Sequence, residues 1–321
     1  MPSSTRGSAT NEGLSPESTR SRIVSIAEAE AAQLSVEQPS GLWSDAWRRV
    51  RRNPAAWVGA GLLLFFVICA VFAPLLAPYG PQETVGSLAA VPPGPTAEYP
   101  FGLDEQGRDV LSRVIYGARL SLLVGLVSVA IGLSLGLVLG AVSGYFGGRV
   151  DGVIMRFMDL MLSIPGFLLA IGLVTLLGRG LFQIMFAIGI TTVPIFARLL
   201  RGSILAQREA DYVLAARSVG TPGFRLLTVH ILPNSIAPVI VQATLAMATA
   251  IIDVAGLSFL GLGPNDPSLP EWGKFLAENA ARLQNSAHLV FFPGFAVVFS
   301  VLAFNLLGDA LREAIDPKLR A

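Results

Sequence analysis

Few residues in this chain are of a type and spacing that could carry out a reaction. The two histidines, His230 and His288, are far apart in sequence, and no Cys/His cluster has metal-ligand spacing. Cys69, the single cysteine, sits in an apolar run and reads as a small buried hydrophobe. Asp104, Glu105 and Asp109 gather acidity in one loop, but the alternating ligand positions of a calcium loop are missing. Helix capping and i,i+4 ion pairs, Asp104 with Arg108 and Asp109 with Arg113, are the expected use of these carboxylates. There is no nucleophile elbow and no Gly-x-x-x-x-Gly-Lys-Ser/Thr loop to cradle phosphates. The chain is therefore read as a non-enzyme, with no catalytic, cofactor or metal site. Any nucleotide hydrolysis coupled to this chain must be carried out by another chain.

What remains are polar side chains set in apolar sequence, where they are costly and often functional. Asp253 lies deep in such a run beside Gly256, with no partner near it in sequence. It is the candidate for a cavity-facing or interhelical polar contact. Asp159 follows Arg156 by three residues, which favours an interfacial ion pair. Gln183 and Asn305 are expected to hydrogen-bond between helices.

Composition sets the elements that must hold these residues. Hydrophobic residues make up 53% and charged residues 14%, with a mean hydropathy of +0.62. Soluble domains usually carry nearly twice that charge, so a bilayer is the natural solvent. A net charge of +1 offers no clustered basic surface for nucleic acid. A span needs roughly 20 apolar residues, each adding about 1.5 Å across about 30 Å of hydrocarbon. Such runs occupy 55–76, 120–142, 160–177, 181–200, 236–262 and 289–307. They predict an all-α integral membrane protein with six transmembrane helices.

Residues 1–40 are rich in Ser, Thr, Glu and Ala, lack the apolar core of a signal peptide, and are expected to form a disordered tail. Over 41–54, Trp43, Trp47 and Val50 share a helical face beside Arg48, Arg49, Arg51 and Arg52. That suits a helix lying in the interface before Pro54 opens the first span. The remainder, 55–321, is read as one transmembrane domain with an outer loop at 78–119 and a cytoplasmic loop at 201–233. Basic residues gather on one side: those before the first span, Arg149, Arg156, the run from Arg198 to Arg225, and Arg312, Lys318 and Arg320. This predicts cytoplasmic termini. Gly132, Gly136, Gly140 and Gly144, each four residues after the last, predict a close-packed seam between helices.

The loop at 201–233 is long for a turn between packed helices. Tyr212, Ala215, Ala216 and Val219 can share one face of a short helix that Gly220 can end in a left-handed conformation. Such a small-residue face can enter a partner's groove or pack on its own bundle. The loop resembles the signature loop of ABC importer permeases, in which Glu-Ala-Ala precedes a Gly and a distal Leu-Pro. Ala215, Ala216, Gly220, Leu232 and Pro233 match, with Leu214 in the usual Glu position. Phe101 to Arg113, Gly144 to Gly148, Gly256 to Gly263, Phe304 to Asp309 and Asp316-Pro317 are similar, in that order, to C-type membrane subunits of dipeptide and oligopeptide permeases. Those permeases often carry an acidic residue just before the Gly-Leu-Ser-Phe stretch, a role that falls here to Asp253.

The resemblance implies an ABC importer permease-like bundle in a bacterial or archaeal cytoplasmic membrane. It implies a second homologous permease subunit, two ATP-binding cassette subunits holding ATP and Mg, and an extracytoplasmic substrate-binding protein. Di- or oligopeptides would be imported by alternating access. Arg208, Glu209, Asp211, Tyr212, Leu214, Ala215, Ala216, Arg217 and Gly220 would form the coupling helix. Nickel or another small solute is the alternative cargo. A stand-alone secondary transporter, which often shows internal repeats and intramembrane charges, is the rival from another class.

Overall fold

The structure is a computed structural model that describes residues 47–87, 92–266 and 268–315. The expected tail, Trp43, and Asp316, Pro317, Lys318 and Arg320 lie outside the described residues.

Helix α1 (Pro54–Val71) follows a short helical stretch at 47–50, so the expected interfacial helix at 41–54 stops short of the span. Asn53 accepts from Ala55 N at 2.9 Å, and Pro54 loses nothing in a first turn, where its missing N–H would have had no partner. A break at Phe72 precedes the four-residue α2 (Ala73–Leu76). Asp109 caps α3 (Val110–Phe146) by accepting from Ser112 N at 2.7 Å, and Gly147 at φ +65° ends it. At about 1.5 Å per residue α3 runs roughly 55 Å, so the apolar stretch at 120–142 is only its middle.

The third expected span is corrected. Helices α4 (Gly148–Leu162) and α5 (Gly166–Leu177) meet at 90°, so 160–177 is not one straight helix. Pro165 has no N–H to donate and pushes Ile164 away from helical geometry, which turns the chain. Then come α6 (Leu181–Arg208), α7 (Asp211–Ser218), α8 (Ala237–Phe259), α9 (Trp272–Asn279) and α10 (His288–Ile315). Helices α1, α3, α6, α8 and α10 are long and apolar enough to cross a membrane, and the bent pair makes a sixth if its limbs count as one crossing. Among the described residues there is no strand.

Large apolar side chains cover the outside: Leu75 is 81% exposed, and Phe65, Leu126 and Val138 are also exposed. Hydrocarbon stabilises such a surface, whereas water does not. The centre of the bundle is the contact of α3 with α6. A Cβ on Gly132 would fall 2.5 Å from Gly189 O, and one on Gly140 would fall 2.6 Å from Ala197 O. The four-residue glycine spacing is therefore a seam along which two backbones touch.

Outside the spans, the loop before α3 closes on a buried charge cluster. Asp104 Oδ1 accepts from Gln106 N and Arg108 N, both at 2.9 Å. Its Oδ2 accepts from Arg108 Nε and Arg113 Nη1, both at 2.7 Å. The pair Asp104–Arg108 thus forms, but in a turn. Arg113 goes to Asp104 instead of Asp109, whose Oδ2 accepts from Ser112 N and Oγ at the cap of α3 while its buried Oδ1 has no hydrogen-bond partner among the described residues. Arg282 pairs with Glu105 beside this cluster.

Candidate functional site

Helix α7 carries the loop residues singled out in the sequence. Asp211 in its first turn and Arg217 in its last complement the helix dipole, and Gly220 at φ +80° follows its end in the left-handed region. Val213 is fully buried and anchors α7 in the core beside Leu226, Leu227 and Ile231. Ala216 is half-buried against the same core. Leu214 is 47% exposed and Val219 82%, with Tyr212, Ala215 and Arg217 also exposed. The face proposed for Tyr212, Ala215, Ala216 and Val219 is therefore divided, with Ala216 turned inward.

The neighbouring charges separate likewise. Glu209 and Asp211 are exposed. Arg208 is half-buried and donates from Nη1 to Gly144 O at 3.0 Å, where a cation complements the carbonyl end of α3. Two turns earlier, Arg201 Nε and Nη2 reach Asp151 Oδ1 and Oδ2 at 2.5 and 2.6 Å, and Ser143 Oγ donates to the same carboxylate. This bidentate pair ties α4 to α3 and α6.

A polar network links α7 to α8. The Tyr212 hydroxyl donates to Gln207 Oε1 at 2.7 Å and accepts from Asn234 Nδ2 at 3.3 Å. Asn234 also donates to His230 O at 2.8 Å. Between them run a π-helical turn, Leu226–Ile231, and a short helix, Leu232–Ser235, that leads into α8. Pro233, which has no N–H, sits in the first turn of that short helix, where a helix tolerates it. Nothing in their local sequence distinguishes Gln207 or Asn234; only the fold brings them to Tyr212.

Asp253 is half-buried on α8, and no hydrogen bond or ion pair reaches it among the described residues. Thr249 and Gln242, four and eleven residues before it, fall on the same side of the helix. Gln242 also lines a 600 Å³ hollow with Arg198, Gly202 and Ser203 of α6. Arg198 pairs with Asp159 at 2.5 Å, which corrects the expected Arg156–Asp159 pair: the turn between α4 and α5 leaves Asp159 beside α6. Gln183 and Asn305 make no interhelical hydrogen bond among the described residues.

Glu271 is a buried acid that the sequence did not flag. It caps α9 and accepts from Ser258 Oγ at 2.8 Å, Gly273 N at 2.8 Å and Lys274 N at 2.7 Å. Burial pushes its pKa up, against the opposing pull of these three donors and of the Lys274 charge. Its signal was local: an acidic residue immediately before a short amphipathic helix. Among the described residues, no group of three or more His, Cys, Asp or Glu is placed to hold a metal.

Long apolar helices joined along a glycine seam, with a short anchored helix outside them, make this a multi-pass helical membrane protein. One chain of the inward-facing MetNI methionine ABC transporter has the same fold, at TM-score 0.52 and 18% identity, covering 64% of this chain and 96% of that one. Residues 136–321 match the binding-protein-dependent transport system inner membrane component family, and 41–93 match the N-terminal TM domain of oligopeptide transport permease C. The chain belongs to the binding-protein-dependent transport system inner membrane component family. It is 45% identical over 296 residues to the di/tripeptide transport system permease protein DppC of Pseudomonas aeruginosa, covering 91% of this chain and 97% of that one. It is 44% identical over 279 residues to the dipeptide transport system permease protein DppC of Alkalihalophilus pseudofirmus, covering 87% and 91%. The glutathione transport system permease protein GsiD of Escherichia coli is 42% identical over 278 residues, covering 87% and 91%.

Proposed function

We propose that this chain is the C-type permease subunit of an ATP-driven importer that moves di- or oligopeptides across a cytoplasmic membrane. The observation that carries the cargo is identity above 40%, over most of the chain, to relatives named for dipeptide, di/tripeptide and glutathione transport. Its partners are a second permease subunit, two ATP-binding cassette subunits and an extracytoplasmic binding protein. The exposed side of α7, with Leu214, Ala215 and Val219, docks on an ATPase subunit. Closure of the ATPases then moves α7, and the Val213 anchor and the Tyr212–Asn234 contact pass that movement to α8. The side of α8 with Gln242, Thr249 and Asp253 faces the path that the movement opens.

Uptake of a labelled dipeptide into proteoliposomes holding all the partners tests this reading. Uptake should need ATP and the binding protein, and Asp253→Leu should lower it several-fold while the ATPase subunits stay bound. Uptake without ATPase subunits would mean a secondary transporter, and uptake of nickel but not peptide would replace the cargo. Normal uptake by Asp253→Leu would remove that residue from the path.

The arginine distribution supports cytoplasmic termini, with α7 on the same side. In a Cys69→Ser background, Ser218→Cys should be shielded from impermeant thiol reagents in intact cells, whereas Glu98→Cys should react. The reverse pattern would invert the topology.

A further inference from the structure

Between α1, α3, α8 and α10 the structure leaves a hollow of 670 Å³. Its walls are almost wholly apolar, built from side chains such as Leu63, Leu126, Leu133, Ala243 and Phe304. Trp47, Val50 and Arg51 close it on the side of the chain that precedes α1, and Arg51 is the one charged residue in its lining among the described residues. The Arg51 guanidinium lies 5.6 Å from the centre of the Trp47 ring, and Trp57 Nε1 donates to Arg51 O at 2.9 Å. Arg48, Arg49 and Arg52 stand within one turn of it in sequence. None of the four is in an ion pair among the described residues. Among the described residues, Glu313 is the acid in contact with this stretch, accepting from Asn53 Nδ2 at 2.8 Å.

We infer that this hollow holds an acyl chain of an anionic phospholipid, whose headgroup rests on the arginines before α1. Tryptophans favour the boundary between headgroups and hydrocarbon, so Trp47 and Trp57 set the mouth at that depth. Clustered arginines beside a span attract anionic lipid there. A helix does not fit: at about 10 Å across and about 1.5 Å per residue it fills roughly 120 Å³ per residue, so the hollow would take fewer than two turns. An alkyl chain is narrow enough to enter between the side chains, and a zwitterionic headgroup would leave the arginine excess unmatched.

The test is native mass spectrometry of the full-length chain released from nanodiscs of phosphatidylcholine with phosphatidylglycerol. The parent should retain one lipid per chain, phosphatidylglycerol several-fold over phosphatidylcholine. Changing Arg48, Arg49, Arg51 and Arg52 together to Gln should abolish that preference but not the retention. Ala130→Phe and Ala243→Phe, which fill the hollow, should each abolish retention while keeping the parent's elution profile. No retained lipid, equal retention of both lipids, or retention unaffected by the filling variants would overturn the proposal. Two further results would name other occupants: lipid lost when the second permease subunit assembles would assign the hollow to that partner. Lipid gained only on deleting residues 1–46 would assign it to the N-terminal segment.

Discussion

Asp104→Ala should leave little folded protein. The substitution removes four accepted hydrogen bonds at once, which occupy both oxygens of the carboxylate. It strands Arg108 and Arg113, both buried: Arg108 keeps a hydrogen bond to Gln82 Oε1 at 3.2 Å and Arg113 the weaker pull of the Glu278 charge, and neither replaces the lost carboxylate. Removing one partner of a buried pair typically costs about 3–5 kcal/mol, against a total stability of about 5–15 kcal/mol. The damage should spread, because the Leu103 carbonyl meets His288 Nε2 of α10 at 3.2 Å, and Arg113 lies over the Phe275 ring of α9 at 4.3 Å. Asp104→Asn should do little better, since its amide NH₂ would face guanidinium donors. Adding Arg113→Met to Asp104→Ala should recover part of the loss by removing one stranded charge while keeping a side chain against Phe275. Thermal melting and monodisperse yield of the detergent-solubilised protein measure the effect. A melt for Asp104→Ala equal to the parent's would show that the cluster is dispensable.

The same residues show what the sequence could and could not report. Apolar runs predicted the positions of α1, α3, α6, α8 and α10, because hydrocarbon demands a length and a composition that soluble helices do not combine. They did not report direction: 160–177 is mostly apolar, yet the chain turns by 90° within it at Ser163–Pro165. Glycine spacing on α3 announced a seam, but only the fold names α6 as the partner. Ion pairs were misread where the partner that won lay outside the i,i+4 spacing. Asp159 meets Arg198 rather than Arg156, and Arg113 meets Asp104 rather than Asp109. On α7, resemblance located the segment but not its inward face. Ala215 and Ala216 are the same residue type, and the buried Val213 decides which of them turns to the core.

Leu214→Asp combined with Val219→Asp should nearly abolish coupled transport while leaving the membrane subunit folded. Both side chains are exposed and outside the spans, so the uncomplexed subunit should change by no more than about 0.5 kcal/mol. In a docked complex the same carboxylates would be buried in an apolar contact without partners. Losses at the centre of an interface commonly reach about 2–4 kcal/mol, which is about 30-fold or more in affinity. Ala216→Trp should fail for a different reason. Its side chain points into the subunit's own core, so it should lower the melting temperature before it weakens docking. Gly220→Val should lie between the two, because a β-branched residue at φ +80° costs about 1–3 kcal/mol and would re-aim the end of α7 that carries Val219. Three readings from one preparation separate these cases: ATPase-subunit retention on the purified complex, substrate-stimulated ATP hydrolysis, and uptake. The double aspartate variant should keep the parent's melting temperature and lose all three, whereas Ala216→Trp should lose the melting temperature first. If the double variant assembles, hydrolyses ATP on stimulation and transports like the parent, α7 is not where the ATPase docks, and the link through Tyr212 and Asn234 carries no signal to α8.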